Sequence, residues 1–290
     1  MITEESSQQL TPLAEEQGEP PASAPGGTGL EPTSTRESRW IAWVDVAKAI
    51  GLWVVSVLLL LLVPLVAIVP YIIYKVATVG PAVLTPEALT GDKWLIFYSV
   101  VGILPTHLIT LAFTWFMVTE GGQRSFWKAI GWEWPGRPAK VTLISILVAL
   151  GLYGLAWGVT TIWGGSKTEL DLLIESSMYT RVATALVAVA TAPLVEEVIY
   201  RGVIYPAVEK VTGTGFAIAV VSLLFAGVHV WQYRNNLGVI LVITALSFTL
   251  TAARAVSGKV LPSFIIHLVF NGIQSVLIVL SGILDKDVIK

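Results

Sequence analysis

Two adjacent carboxylates and an arginine, Glu196, Glu197 and Arg201, stand in an apolar run that opens Ala192-Pro193-Leu194-Val195. Two later apolar runs each hold one histidine: Phe225-Ala226-Gly227-Val228-His229, and His267-Leu268-Val269-Phe270-Asn271. An ionised group at the centre of a bilayer costs about 2.5–3.5 kcal/mol on insertion scales, so a chain that keeps several there has partners for them and, by default, a use. Carboxylate, imidazole and amide are the parts needed to activate a water and to stabilise the oxyanion of a tetrahedral intermediate.

The spacing divides these residues into roles. Glu197 and Arg201 are four apart, share a helix face and can pair; the pair reads equally well as a purely structural one. Glu196 is rotated from Glu197 by about 100° and cannot easily share that arginine. It is left for another partner, in the state useful to a general base or acid. Pro193, one turn earlier, removes a backbone hydrogen bond and frees a carbonyl. Glu196 lies 16 residues before the Thr212-Gly213 turn and His229 16 after Gly213, so in an antiparallel hairpin the two share a depth, which allows them to meet across the helix pair. His267 and Asn271 are again four apart and point the same way. His267 enters its span from the end opposite to His229, and in straight perpendicular helices their depths differ by roughly 10–15 Å. A third histidine, His107, has no motif and no acidic neighbour in sequence, and reads as structural or pore-lining.

The elements that position these residues are membrane helices. Of the 290 residues 54% are hydrophobic and only 13% charged, against about one-quarter charged in soluble domains. The apolar runs suit helices crossing about 30 Å of hydrocarbon and do not alternate as barrel strands do. The expected fold is all-α and polytopic, with seven transmembrane helices, or eight if the first run breaks at Pro64 and Pro70. The expected spans are 49–74, 94–118, 141–163, one long helix from about 182 to 210, then 214–233, 237–253 and 260–284. Arg254 is expected to snorkel from a helix end, and Trp127, Trp132 and Trp134 to anchor a connector in the headgroup layer. Residues 1–39 carry seven acids against two arginines and read as a disordered acidic tail. Residues 40–290 form the transmembrane domain, with a catalytic core at about 182–275. No cleavable signal peptide or myristoylation start is expected. Lysines and arginines are in excess on the side that holds the N-terminus, which favours that side as cytoplasmic. The absence of cysteine excludes disulfides, thiolate metal sites and thiol nucleophiles; it loosely fits a prokaryotic cytoplasmic membrane. A net charge of −2 with no basic block predicts no nucleic-acid partner.

The three segments EEVIYR (196–201), FAGVH (225–229) and HLVFN (267–271) resemble the EExxxR, FxxxH and HxxxN motifs of the CAAX-protease and bacteriocin-processing (CPBP, or abortive-infection) family of intramembrane proteases. Each occurs once, in order, on its own apolar helix, with APxxEE before the pair and RG after the arginine. The resemblance covers about residues 182–275. It implies that Glu196 with His229 activates the attacking water, that Glu197 and Arg201 pair and hold the helix, and that His267 and Asn271 line the oxyanion site. A second version within the family makes Glu196, His229 and His267 ligands of a catalytic zinc, a His₂Glu set that suits that metal. The amide of HxxxN, standing where a third ligand is expected, favours metal-independent activation. Membrane lipid and a hydrophobic, prenylated or otherwise lipidated peptide are the expected partners. The rival readings are a catalytically silent scaffold or immunity protein of the same family, and a proton-coupled carrier. A carrier is expected to show repeat halves, which this sequence lacks.

Overall fold

The computed structural model describes residues 33–284. All of the regular structure in that range is helical, and seven helical segments are long and apolar enough to cross a membrane. The protein is an integral, multi-pass, all-α protein. The first span is α1 (Thr33–Val79), one continuous helix that passes through both Pro64 and Pro70. It begins inside the segment expected to be a tail; the rest of that segment, residues 1–32, lies outside the described residues. The second span is made of α2 (Lys93–Val101) and α3 (Ile103–Val118). Gly102 separates them, and a Cβ there would lie 2.9 Å from the Pro64 Cα, so only glycine lets the two helices approach this closely. α4 (Pro138–Trp163) is the third span, and α5 (Glu169–Glu175) is a surface helix closed by a Thr168–Asp171 capping box.

The fourth span departs from the single long helix expected. It runs as α6 (Met178–Ala190), α7 (Ala192–Glu196), a π-helical segment (Glu197–Ile204) and α8 (Tyr205–Thr212). Pro193 lacks the N–H that a continuous helix needs, and the break falls at Thr191, with φ −122° and ψ −40°. Gly213, at φ 82°, makes the turn into α9 (Thr214–Tyr233). α10 (Leu237–Ser257) follows, capped at its start by the Asn236 side chain and ended by Gly258 at φ 68°. α11 (Leu261–Leu284) is the seventh span.

The molecule buries polar side chains within an apolar core and exposes large apolar ones. Leu61, Leu108, Phe116 and Trp157 are exposed, while Thr110, Ser222, Thr251, Glu197 and Arg201 are buried. That is the distribution expected where lipid is the solvent and interhelical hydrogen bonds hold the bundle. The π segment and α9 form the centre of one apolar cluster, with Ile199, Tyr200, Ile204, Val221 and Phe225. α4, α10 and α11 build a second around Ala149, Leu250 and Phe270. Arg181 of α6 is buried and donates to Ile174 O, Ile278 O and Ser281 Oγ, which satisfies the Ile174 carbonyl left open at the end of α5 and ties it to the last turns of α11. At one membrane face the Asp92 carboxylate caps α2, accepts from Tyr71 and pairs with Lys75, beside stacked Trp94 and Tyr179. At the opposite face Asp45 pairs with Lys210, and Glu133 with Lys259. The Glu133 carboxyl is held below the usual range by its hydrogen bond from Lys259.

Candidate active site

The site forms where the broken fourth span meets α9, α10 and α11. Glu197 and Arg201 are both fully buried, and Arg201 Nη1 donates to Glu197 Oε1 at 3.0 Å. The rest of the guanidinium is satisfied from α10: Nε donates to Thr251 Oγ1 at 3.3 Å, and Nη2 to Ser247 O and Ser247 Oγ at 3.1 and 3.0 Å. Its face lies 4.8 Å from the centre of the Phe225 ring. Glu197 Oε1 also accepts from His267 Nδ1 at 3.0 Å, while Oε2 is buried without a hydrogen-bond partner.

His267, 2% exposed, joins the two glutamates. With Nδ1–H given to Glu197, its Nε2 faces Glu196 Oε2 at 3.5 Å. A proton on either of those atoms makes the pair formally neutral, as Glu197 and Arg201 are together. The Glu196 side chain is 24% exposed and has no arginine or lysine partner among the described residues.

His229 is placed differently from the expectation. Depth counted from the turn set Glu196 opposite it, but no Glu196–His229 hydrogen bond or ion pair forms among the described residues. His229 Nδ1 instead bonds Phe225 O at 2.8 Å on its own helix. A carbonyl only accepts, so Nδ1 carries the hydrogen and Nε2 of the neutral ring is the free basic nitrogen. Phe225 stands between the two imidazoles, 4.8 Å from His229 and 5.9 Å from His267 between ring centres. Equal depth leaves the direction of a side chain around its helix unset, and the break at Thr191 with the π segment turns Glu196 toward α11.

Asn271 Nδ2 donates to Ala188 O at 3.0 Å, one of the carbonyls that lose their helical partners where α6 stops at Ala190. The same break is held on its other side by His107 of α3. Its Nδ1 lies 2.8 Å from Thr191 Oγ1, and it sits within electrostatic reach of Glu196. His107 thus has the acidic neighbour that its sequence context lacks. Arg254, expected at the lipid interface, turns inward: its Nε donates to Arg201 O at 3.0 Å, and its guanidinium lies over the Tyr205 ring. Gly202, after the arginine, admits the connector, because a Cβ there would lie 3.0 Å from the Ile130 Cβ.

Glu196, His229 and His267 do not fit zinc as a ligand set. No group of three histidine or acidic side chains among the described residues is placed to hold a metal ion. Sequence reasoning passed over Ser247, Thr251 and Thr191, and read His107 as structural or pore-lining. The first two carry a signal, being polar and four apart on one face of an apolar helix. Thr191 precedes the Ala-Pro pair, and His107 has no sequence signal.

Comparison with known proteins bears on the same segment. No curated protein and no solved structure gives a match. A family model does, that of the type II CAAX prenyl endopeptidase Rce1-like proteins, over residues 178–273, from the first residue of α6 to two residues beyond Asn271. That stretch takes in all three motifs, and the match is consistent with the CPBP family.

Proposed function

We propose that the protein is an intramembrane endopeptidase that hydrolyses a peptide bond of a prenylated, otherwise lipidated or hydrophobic peptide. One observation carries the reading. Two adjacent carboxylates share one imidazole, and only one of them is neutralised by arginine, which leaves Glu196 partly open for chemistry. In this mechanism Glu196 takes a proton from water as the water attacks the scissile carbonyl, with His229 Nε2 as the second basic atom facing the water, and gives the proton to the leaving amine as the C–N bond breaks. The pair formed by Glu197 and Arg201 holds the helix and orients His267 through Nδ1. The Nε2–H of the His267 imidazolium and the second N–H of the Asn271 amide serve the developing oxyanion, each a donor in a dry site where such bonds are strongest. A substrate with a lipid chain or an apolar helix reaches Glu196 laterally from the bilayer. The Rce1-like match supports a CAAX-type C-terminus as the first substrate class to try. No zinc enters this scheme.

The test is cleavage by protein reconstituted in lipid vesicles, with a fluorogenic farnesylated CAAX peptide and a panel of membrane peptides. Wild type is expected to cleave, Glu196→Gln to lose at least about a thousandfold in kcat/KM, and His229→Ala about a hundredfold, within the span for general base catalysis. Full activity in Glu196→Gln would refute the mechanism. No cleavage of any peptide by wild type would refute the enzymatic reading and favour a binding role.

A further inference from the structure

We propose that His107, outside every motif of the site, is a positioning residue for Glu196: with Thr191 it fixes the break in the fourth span from which that carboxylate is presented. The proposal rests on the enzymatic reading of the site. The Thr191 hydroxyl donates to Val187 O at 3.3 Å, so toward His107 it accepts, and the imidazole Nδ1 is the donor at 2.8 Å. The chain of bonds therefore has one polarity, from His107 Nδ1–H to the Thr191 hydroxyl to a carbonyl in the last turn of α6. Thr191 is the pivot residue, with non-helical φ and ψ, and only the short α7 separates it from Glu196. The opposite side of the pivot is tied to α11 by Asn271 Nδ2 and Ala188 O. Two polar side chains from two other spans thus clamp the pivot. His107 is 8% exposed and lies on the span that packs against α7. A buried imidazole with a directed bond to a pivot residue is more than a filler of space. Its removal frees the hinge without removing any group assigned to the chemistry.

The experiment uses the full chain in vesicles. His107→Ala and Thr191→Val are each expected to lower kcat about tenfold or more with KM within about twofold, the pattern of an interaction realised in the transition state alone. His107→Asn, whose amide nitrogen occupies the Nδ1 position, is expected to restore kcat to within about threefold of wild type. The double variant is expected to be no worse than the poorer single one, since both act through one bond. A loss confined to KM, equal damage in His107→Asn and His107→Ala, or multiplicative losses would each overturn the proposal. If His107→Ala fails to fold, His107→Gln takes its place. A second readout does not depend on cleavage: the rate at which dicyclohexylcarbodiimide modifies Glu196, followed by mass spectrometry. That rate is expected to rise at least about threefold in His107→Ala and to stay at the wild-type value in His107→Asn, because the freed hinge exposes the carboxyl. Equal rates in all three overturn the positioning role even if no substrate is cleaved, and failure of cleavage in wild type alone overturns only the enzymatic reading.

Discussion

Removal of the Arg201 cation by Arg201→Met should be the most damaging single change in the polar core, and the hydrogen bonds say by how much. Arg201 bonds Glu197, Ser247 and Thr251 and is fully buried. Without it the Glu197 carboxylate keeps only the His267 N–H, and one of its oxygens is already unpartnered. Breaking a buried pair from one side costs about 3–5 kcal/mol, because a charge is left uncompensated. That is a large share of the roughly 5–15 kcal/mol that holds a domain folded. Glu197→Gln should cost less, about 1–3 kcal/mol, since the amide oxygen still accepts from Arg201 and the cation keeps its bonds to α10. Removing both charges should cost little more than Glu197→Gln alone, giving a coupling energy of about 3–4 kcal/mol in magnitude, nearly the whole cost of Arg201→Met. The assay is equilibrium unfolding in mixed micelles titrated with denaturing detergent, read by circular dichroism. Arg201→Met as stable as wild type, Glu197→Gln the worse of the two, or a double loss equal to the sum would refute the argument.

Other consequences can be checked in the same preparation. Gly202→Ala forces a Cβ to 3.0 Å from Ile130 and should lower stability by about 1–3 kcal/mol, as overpacking does; a second change, Ile130→Ala, should recover part of it. Asn271→Leu leaves Ala188 O open and should cost about 1 kcal/mol, read from the same unfolding curves. Burial pushes the Asp92 carboxyl up, but hydrogen bonds from Lys75, the Leu95 N–H, Tyr71 and the Trp94 N–H outweigh it and hold it below the usual carboxylate range. Its contribution to stability is therefore present above the unfolded carboxylate pKa of about 4 and lost as pH falls through the lowered folded value. Melting temperatures should fall over that window in wild type and less so in Asp92→Asn. Cleavage should persist within about twofold after dialysis against strong chelators, because the expected ligand set does not converge on one point.

The spans were legible because each is a long apolar run, charge-free in six of the seven expected spans, and their ends carry local signals: the Thr212-Gly213 turn, the Asn236 cap, Gly258. Pro193 announced a freed carbonyl. It did not announce that the break would fall two residues earlier at Thr191, nor that an amide 83 residues away would fill the gap. Residues in the site could be named from type and spacing alone, but their partners could not. Counting along two helices sets depth and leaves rotation open, so Glu196 was matched to His229 while the folded chain presents it to His267. His107 was invisible for a related reason: its meaning lies in Thr191, 84 positions on, and no local pattern connects them.

The π-helical stretch from Glu197 to Ile204 carries a consequence at the level of the gene. An α-helix takes up an added residue as a π turn while both of its ends stay in place. Conversely, loss of the codon for Val203 lets the segment tighten to α geometry. The seven spans then still insert and both ends of the segment keep their places, but Arg201 within it turns about the helix axis against Ser247 and Thr251. A one-residue deletion there is thus a way to silence the site without dismantling the bundle, which no substitution within the motif achieves while leaving every motif side chain present.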